Sequence, residues 1–351
     1  MTAQQPVQRA IEELAGSGAE TGLQVAAVHA GEWIVHAAAG TADLETGRPM
    51  TPDTPVFSFS TVKGMTSLIA HLLVRDGLIG YDTPVAQVWP EFGAHGKEAA
   101  TLRHVLTHTA GLPAMPAEVG PTDLADTPGI AARLARAEPL WPPGSRTGYH
   151  SYTFGFLVGE IARRITGKPM GQLLSELIAT PLGLSGELYY GVPPADLPRL
   201  ARLTDAAPPA APPEGILAPW ERGPSAAMGN DPAVLTADIP SVGTVTARGI
   251  ATVYAAIVDG RLISPDQLAE LSAPAFDGVD QVFGNPARLA LGYPLGRLGD
   301  GTPTTFGWAG GGGSYACADV SSATAFAITK NRLTPDFATA QRITELIAAQ
   351  V

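Results

Sequence analysis

With 351 residues, 45% of them hydrophobic and only 16% charged, the chain is too apolar to stay disordered and long enough to bury a large core. A net charge of −11 and the lack of any basic run argue against a nucleic-acid partner or an anionic membrane surface, since both need clustered Lys and Arg. The single cysteine, Cys317, excludes an internal disulfide, and no Cys/His spacing marks a metal site.

Residues 4–16 read as a short amphipathic helix, with no basic stretch followed by an apolar core, so a cytoplasmic location is expected. No apolar run is long enough to span a membrane. "LQVAAVHA" and "EWIVHAAAG" (23–40) predict two strands joined by a turn at Gly31. "LETGRPMTPDTP" is a loop rich in turn residues. Helical patterns dominate from 60 to about 270, in "TLRHVLTH", "YTFGFLVGEIARRITG", "MGQLLSELI" and "TARGIATVYAAIVDG". The Pro/Ala-rich stretch 205–220 is expected to wrap the surface or rim a cleft. Strand patterns return in "TTFGWAG", "GSYACADV" and "TAFAITKN", and "DFATAQRITELIAAQ" predicts a last helix. The expected architecture is a mixed α/β (α+β) fold. Residues 1–58 and 280–351 would build an antiparallel sheet flanked by helices, 59–279 a mostly helical insertion, with an active site at the seam.

One predicted helix is chemically odd. In "VFSFSTVKGMTSLIAHLLV" (56–74), Lys63 is the only charged residue between Phe57 and Val74. On a helical wheel started at Ser60, Met65, Leu68, Ile69, Leu72 and Leu73 form an apolar face. Ser60, Gly64, Ser67 and His71 form a small, polar, uncharged one, so burial on both sides is expected. A desolvated lysine loses basicity, and a serine one turn away needs a base to become a nucleophile. A snorkelling lysine is the plainer alternative.

Several segments together resemble the serine β-lactamase and penicillin-binding-protein superfamily in its class C-like branch. These are the 56–92 stretch, "TLRHVLTHTAGLP" (101–113), "PPGSRTGYHSYTFGFLVGEIARRITGKPMGQLLSELIATPLGL" (142–184) and "FGWAGGGGSYACAD" (306–319). They cover most of residues 5–345 in family order. The resemblance implies the β-lactamase/transpeptidase-like fold, with Ser60 as acylated nucleophile and Lys63 as its partner. Tyr149 would be the phenol sharing base and acid duties, hydrogen-bonded to Lys63. The N–H groups of Ser60 and Gly311 would form the oxyanion hole.

Departures from the pattern matter. Ser151 stands where class C β-lactamases have asparagine, and Trp308-Ala309-Gly310 replaces Lys-Thr-Gly. Trp-x-Gly resembles the carboxylesterases of family VIII type. A lost lysine and a lost amide remove groups that hold a substrate carboxylate and acylamino group, while an indole suits a neutral ester. Ser151, His150, Trp308 and Gly310 are therefore the expected substrate-binding residues. His108 is expected to be structural rather than a base, and the run Gly310–Gly313 to allow close backbone approach to the acyl group rather than to bind phosphate.

The expected function is a serine acyl-enzyme hydrolase, most simply a carboxylesterase for a small ester, without cofactor or metal. The alternative is an acyltransferase or transamidase passing the acyl group to a bound alcohol or amine. A β-lactamase or DD-peptidase ranks below these, and a non-catalytic binding module last. The sequence is silent on oligomeric state.

Overall fold

The computed structural model describes residues 3–206, 215–296, 298 and 303–351. Helix α1 (Gln4–Gly16) leads into a hairpin of β1 (Gly22–His29) and β2 (Glu32–Asp43), matching the pattern read at 23–40. Its turn places Ala30 and Gly31 at φ 48° and 85°, the paired left-handed geometry that fits the twist of a two-residue hairpin. Then come α2 (Lys63–Arg75), α3 (Thr153–Thr166) and α4 (Ala247–Val258). A small hairpin follows, β3 (Phe276–Val279) and β4 (Pro286–Leu289). The chain closes with β5 (Thr305–Ala309), β6 (Tyr315–Asp319), β7 (Thr324–Lys330) and α5 (Ala338–Ala348).

The main sheet has the order β5-β6-β7-β1-β2, extended at the β2 edge by the two-residue strand Arg48–Pro49, and all its pairings are antiparallel. Strands from the two ends of the chain therefore meet at its centre, with Leu23 opposite Lys330 and His29 opposite Thr324. Alternation along the strands sorts the side chains into two layers. Leu23, Val25, Tyr315, Cys317, Phe326 and Ile328 lie under α1 and α5. Ala26, Ala316, Ala318, Ala325 and Ala327 face the opposite layer, which also holds Phe306 and Trp308. The alanines leave room for α4 to pack closely on β1, β6 and β7. Helix α4 falls within 59–279, so that stretch contributes directly to the sheet's core.

Buried polar groups tie these layers together. Gln24 donates from Nε2 to the carbonyls of Thr51 and Thr54, at 2.5 and 2.7 Å. Its Oε1 accepts from Ala247 N–H and Thr329 Oγ1. Helix α2 is buried on both faces, as its sequence suggests. Its apolar residues Leu68, Ile69 and Leu72 are fully covered, each contributing about 1.5–3 kcal/mol. Its polar face finds carbonyls: Ser67 Oγ donates to Gly292 and His71 Nε2 meets Leu291. Among the described residues no helix is long and apolar enough to cross a membrane.

Candidate active site

The segment entering α2 starts with strain. Phe59 has φ 48°, a left-handed backbone that costs a residue with a side chain roughly 1–2 kcal/mol. Edge-to-face packing on Phe57, with ring centroids 4.9 Å apart, helps hold it there. Phe59–Val62 form a 3₁₀ turn, and the α-helix begins only at Lys63, whereas the sequence suggests a regular helix from Ser60. The difference has a chemical effect. In a 3₁₀ turn residues three apart eclipse, which sets Lys63 directly over Ser60.

Lys63 is fully buried. Its Nζ donates to Ser60 Oγ at 2.9 Å and to the carbonyl of Ser241 at 3.0 Å. It also lies 5.3 Å from the ring centre of Tyr149 and 5.9 Å from that of Trp308. A hydroxyl, a carbonyl and two rings surround it rather than a carboxylate. Burial therefore pushes the amine well below its usual basicity.

Tyr149 comes from the irregular segment just before α3, and its hydroxyl donates to Ser60 Oγ at 2.7 Å. Burial drives its pKa upward, with the nearby Asp280 carboxylate adding to the effect and the Ser60 contact opposing it. The expected Lys63–Tyr149 hydrogen bond is replaced by two bonds that converge on the same serine oxygen.

From the sheet side, Trp308 projects from β5 into the layer that holds α2. Its indole N–H donates to Gly292 O at 2.7 Å, so the ring presents carbon to its surroundings. Trp308, Gly311, Ser151, Ser60 and Tyr149 all line one cavity of about 520 Å³. The N–H of Gly311, in the loop after β5, donates to no backbone carbonyl among the described residues. Ser151 donates to the carbonyl of Glu221 at 3.2 Å.

Two expected binding residues sit elsewhere. His150 is fully buried and away from the cavity, with Nδ1 at 2.6 Å from Gly148 O and Nε2 accepting from Leu112 N–H at 3.1 Å. Burial lowers its pKa to about 4, so it is a neutral structural group. The side chain following Tyr149 points inward because Tyr149 itself faces the serine. Gly310 does not line the cavity either. A Cβ there would collide with Ser58 O and Thr61 Oγ1, so its smallness lets β5 approach the serine's own backbone.

His108 has φ 54°, accepts the His150 N–H on Nδ1 and stacks on Phe154 at 4.7 Å, the turn-shaping role its sequence context suggests. Of the 205–220 stretch, 207–214 lie outside the described residues. Glu221, Arg222 and Pro224, just beyond it, line the cavity.

Residues that sequence reasoning missed complete the site. Ser241 supplies the second acceptor for Lys63, 178 positions away. Buried Glu221 accepts from Met115 N–H and Ala218 N–H. Asp280 accepts the backbone N–H of Tyr149 at 2.8 Å. Among the described residues two cations line the cavity despite the lost third-motif lysine: Arg222, and Arg288, which lies 4.0 Å from Asp277. The turn character of "DQVFGN" at 280–285 is readable in the sequence, but a capping aspartate gives no sign of its distant partner.

A serine met by lysine and tyrosine, between an antiparallel sheet and a helical layer, is the architecture of the β-lactamase/transpeptidase fold. A Beta-lactamase family model matches residues 7–350, and the chain belongs to that family. It is 35% identical over 331 residues to Esterase/beta-lactamase LipL of Mycobacterium tuberculosis (strain ATCC 25618 / H37Rv), covering 86% of this chain and 75% of that one. The crystal structure of a family VIII carboxylesterase superposes with a TM-score of 0.91 at 30% identity, covering 99% of this chain and 98% of that one. A penicillin-binding protein homologue from Caulobacter crescentus gives 0.85 at 33% identity, covering 98% and 96%.

Proposed function

We propose that the chain is a serine carboxylesterase acting on small esters through a Ser60 acyl-enzyme. The observation that carries this reading is the convergence of Lys63 Nζ and Tyr149 OH on Ser60 Oγ beside the cavity. Burial moves the two partners in opposite directions, the amine toward neutrality and the phenol toward keeping its proton. That separation supports Lys63 as the base and Tyr149 as the acid.

In the neutral state the contact reverses, and the Ser60 hydroxyl donates to the Nζ lone pair. Oγ adds to the ester carbonyl as Nζ takes its proton. The oxyanion meets the N–H groups of Ser60 and Gly311. Tyr149 protonates the leaving alkoxide as the C–O bond breaks, leaving a phenoxide beside the Lys63 ammonium. Water then adds to the acyl carbon and gives a proton to the phenoxide, and the Lys63 ammonium returns its proton to Ser60 Oγ as the acid leaves.

Trp308 presents an apolar ring face with its N–H already engaged, which suits a neutral ester. The relative named Esterase EstB of Burkholderia gladioli and the family VIII carboxylesterase structure support the same choice. The test is hydrolysis of a short p-nitrophenyl ester, with mass spectrometry of a fluorophosphonate adduct and of products formed with and without added alcohol. Ser60→Ala should abolish turnover and labelling together. Hydrolysis surviving that substitution would refute the mechanism, and alkyl-ester products would move the assignment to acyl transfer.

A further inference from the structure

We propose that Asp280 is a positioning residue for Tyr149, its carboxylate clamping the backbone of the reactive phenol to the hairpin turn that walls the cavity. The inference rests on the reading that Tyr149 acts on Ser60.

Asp280 follows β3 and is 7% exposed. Oδ2 accepts from Tyr149 N–H at 2.8 Å. Oδ1 accepts from Val282 N–H at 2.8 Å and Phe283 N–H at 2.9 Å. The backbone repeats the link: Gln281 N–H donates to Thr147 O at 2.9 Å, and the turn closes on itself through Asp280 N–H to Asn285 O and Gly284 N–H to Asp280 O. A capping aspartate needs only the first oxygen. The second reaches a residue 131 positions away that belongs to no helix or strand.

That placement matters because Tyr149 is not held by a regular ladder. Charge-assisted bonds to backbone N–H groups are about twice as strong as neutral ones. Oδ2 holds the phenol-bearing residue by its main chain while its hydroxyl stays on Ser60. The same turn presents Phe283, whose ring packs 5.8 Å from that of Tyr149, is 57% exposed and lines the cavity. One carboxylate therefore joins the group that moves a proton to the wall that touches substrate.

The clamp predicts a split between kinetic constants. Phe283→Ala removes wall area and should raise KM far more than it lowers kcat. Asp280→Ala unhooks Tyr149 and should lower kcat about tenfold to a hundredfold, the range for losing a hydrogen bond to a charged group, with Ser60 phosphonylation slowed in parallel. Asp280→Asn keeps one acceptor oxygen and should recover part of the loss. Thermal melting of each variant shows whether it folds, and if Asp280→Ala does not fold, Asp280→Asn carries the test, with kcat below wild type at unchanged KM. An Asp280 variant that is folded and shows only the KM effect of Phe283→Ala would overturn the proposal. Ser60→Ala and Tyr149→Phe run alongside: if both keep wild-type turnover, the reading of the site has failed rather than the clamp.

Discussion

Replacing Lys63 with methionine separates what the amine does from what its stem fills. Methionine keeps the length and apolar body of the fully buried lysine and removes Nζ. Losing the bond to Ser241 O leaves a buried carbonyl unpaired, at about 1–3 kcal/mol. The amine's own desolvation, about 1–3 kcal/mol for a polar group in a protein interior, disappears in return. These terms nearly cancel, so the variant should melt within a few degrees of the wild type. Catalysis has no such compensation: a general base contributes about 10²–10⁴-fold, and kcat/KM should fall by at least about a hundredfold. Fluorophosphonate labelling of Ser60 should slow with it.

The amine also predicts how pH acts. With its pKa depressed by burial, Lys63 loses its lone pair as pH falls through that lowered value, and wild-type activity falls with it. In the unfolded chain the lysine stays protonated up to about 10.4. Between the two values the unfolded state binds more protons, so this group makes stability rise with pH, and Lys63→Met should flatten that rise. The assays are ester hydrolysis, labelling rate, and melting temperature across pH. A variant keeping more than about a tenth of wild-type kcat/KM would refute the assignment of the base.

Acid should act through the buried histidines, His108, whose pKa burial also lowers, among them. His71 and His150 both have pKa values lowered to about 4 by desolvation, below the ordinary 6.5. The unfolded chain binds the extra protons in that window, so the stability is full above 6.5 and is lost as pH falls toward 4. The limit is about 3 kcal/mol for each histidine. Melting temperature followed from pH 7 to 4.5 should fall, and His71→Gln should make the fall shallower; an unchanged slope would show that His71 is not the group titrating. Gly310→Ala should damage both folding and activity by driving a methyl into Ser58 O and Thr61 Oγ1, with strain of about 1–3 kcal/mol. Gly311→Ala first meets the Pro224 ring, at 3.0–3.5 Å, and should be milder in melting temperature; equal losses would contradict the packing described.

Much of the fold is legible because its signals are local. Short strand-like runs bounded by turn residues mark β1, β2 and the three C-terminal strands, and a wheel with one charge marks α2. Ser60, Lys63 and Tyr149 are legible through motif resemblance, and they do meet. What stays hidden depends on pairs distant in sequence or on backbone detail. The 3₁₀ turn at Phe59–Val62 arises from a left-handed phenylalanine that no propensity favours. Adjacency to Tyr149 suggests a cleft position for His150, but it says nothing about facing when the backbone there is irregular. The sequence suggests that Gly310 approaches the acyl group, whereas it packs on Ser58 and Thr61. Asp280 and Ser241 act through bonds spanning 131 and 178 positions, which a single sequence does not display.

The close approach of Gly310 to Ser58 has a consequence for how the molecule fails. Ser60 and Lys63 sit on the helical layer, whereas Trp308 lies on β5 and Gly311 in the loop that follows it. Neither side alone holds the proposed centre, so turnover registers whether the two are packed together. In rising denaturant, catalysis should vanish as soon as that joint loosens, ahead of the loss of helical signal. An esterase assay would then be a more sensitive gauge of native assembly than any spectrum of secondary structure.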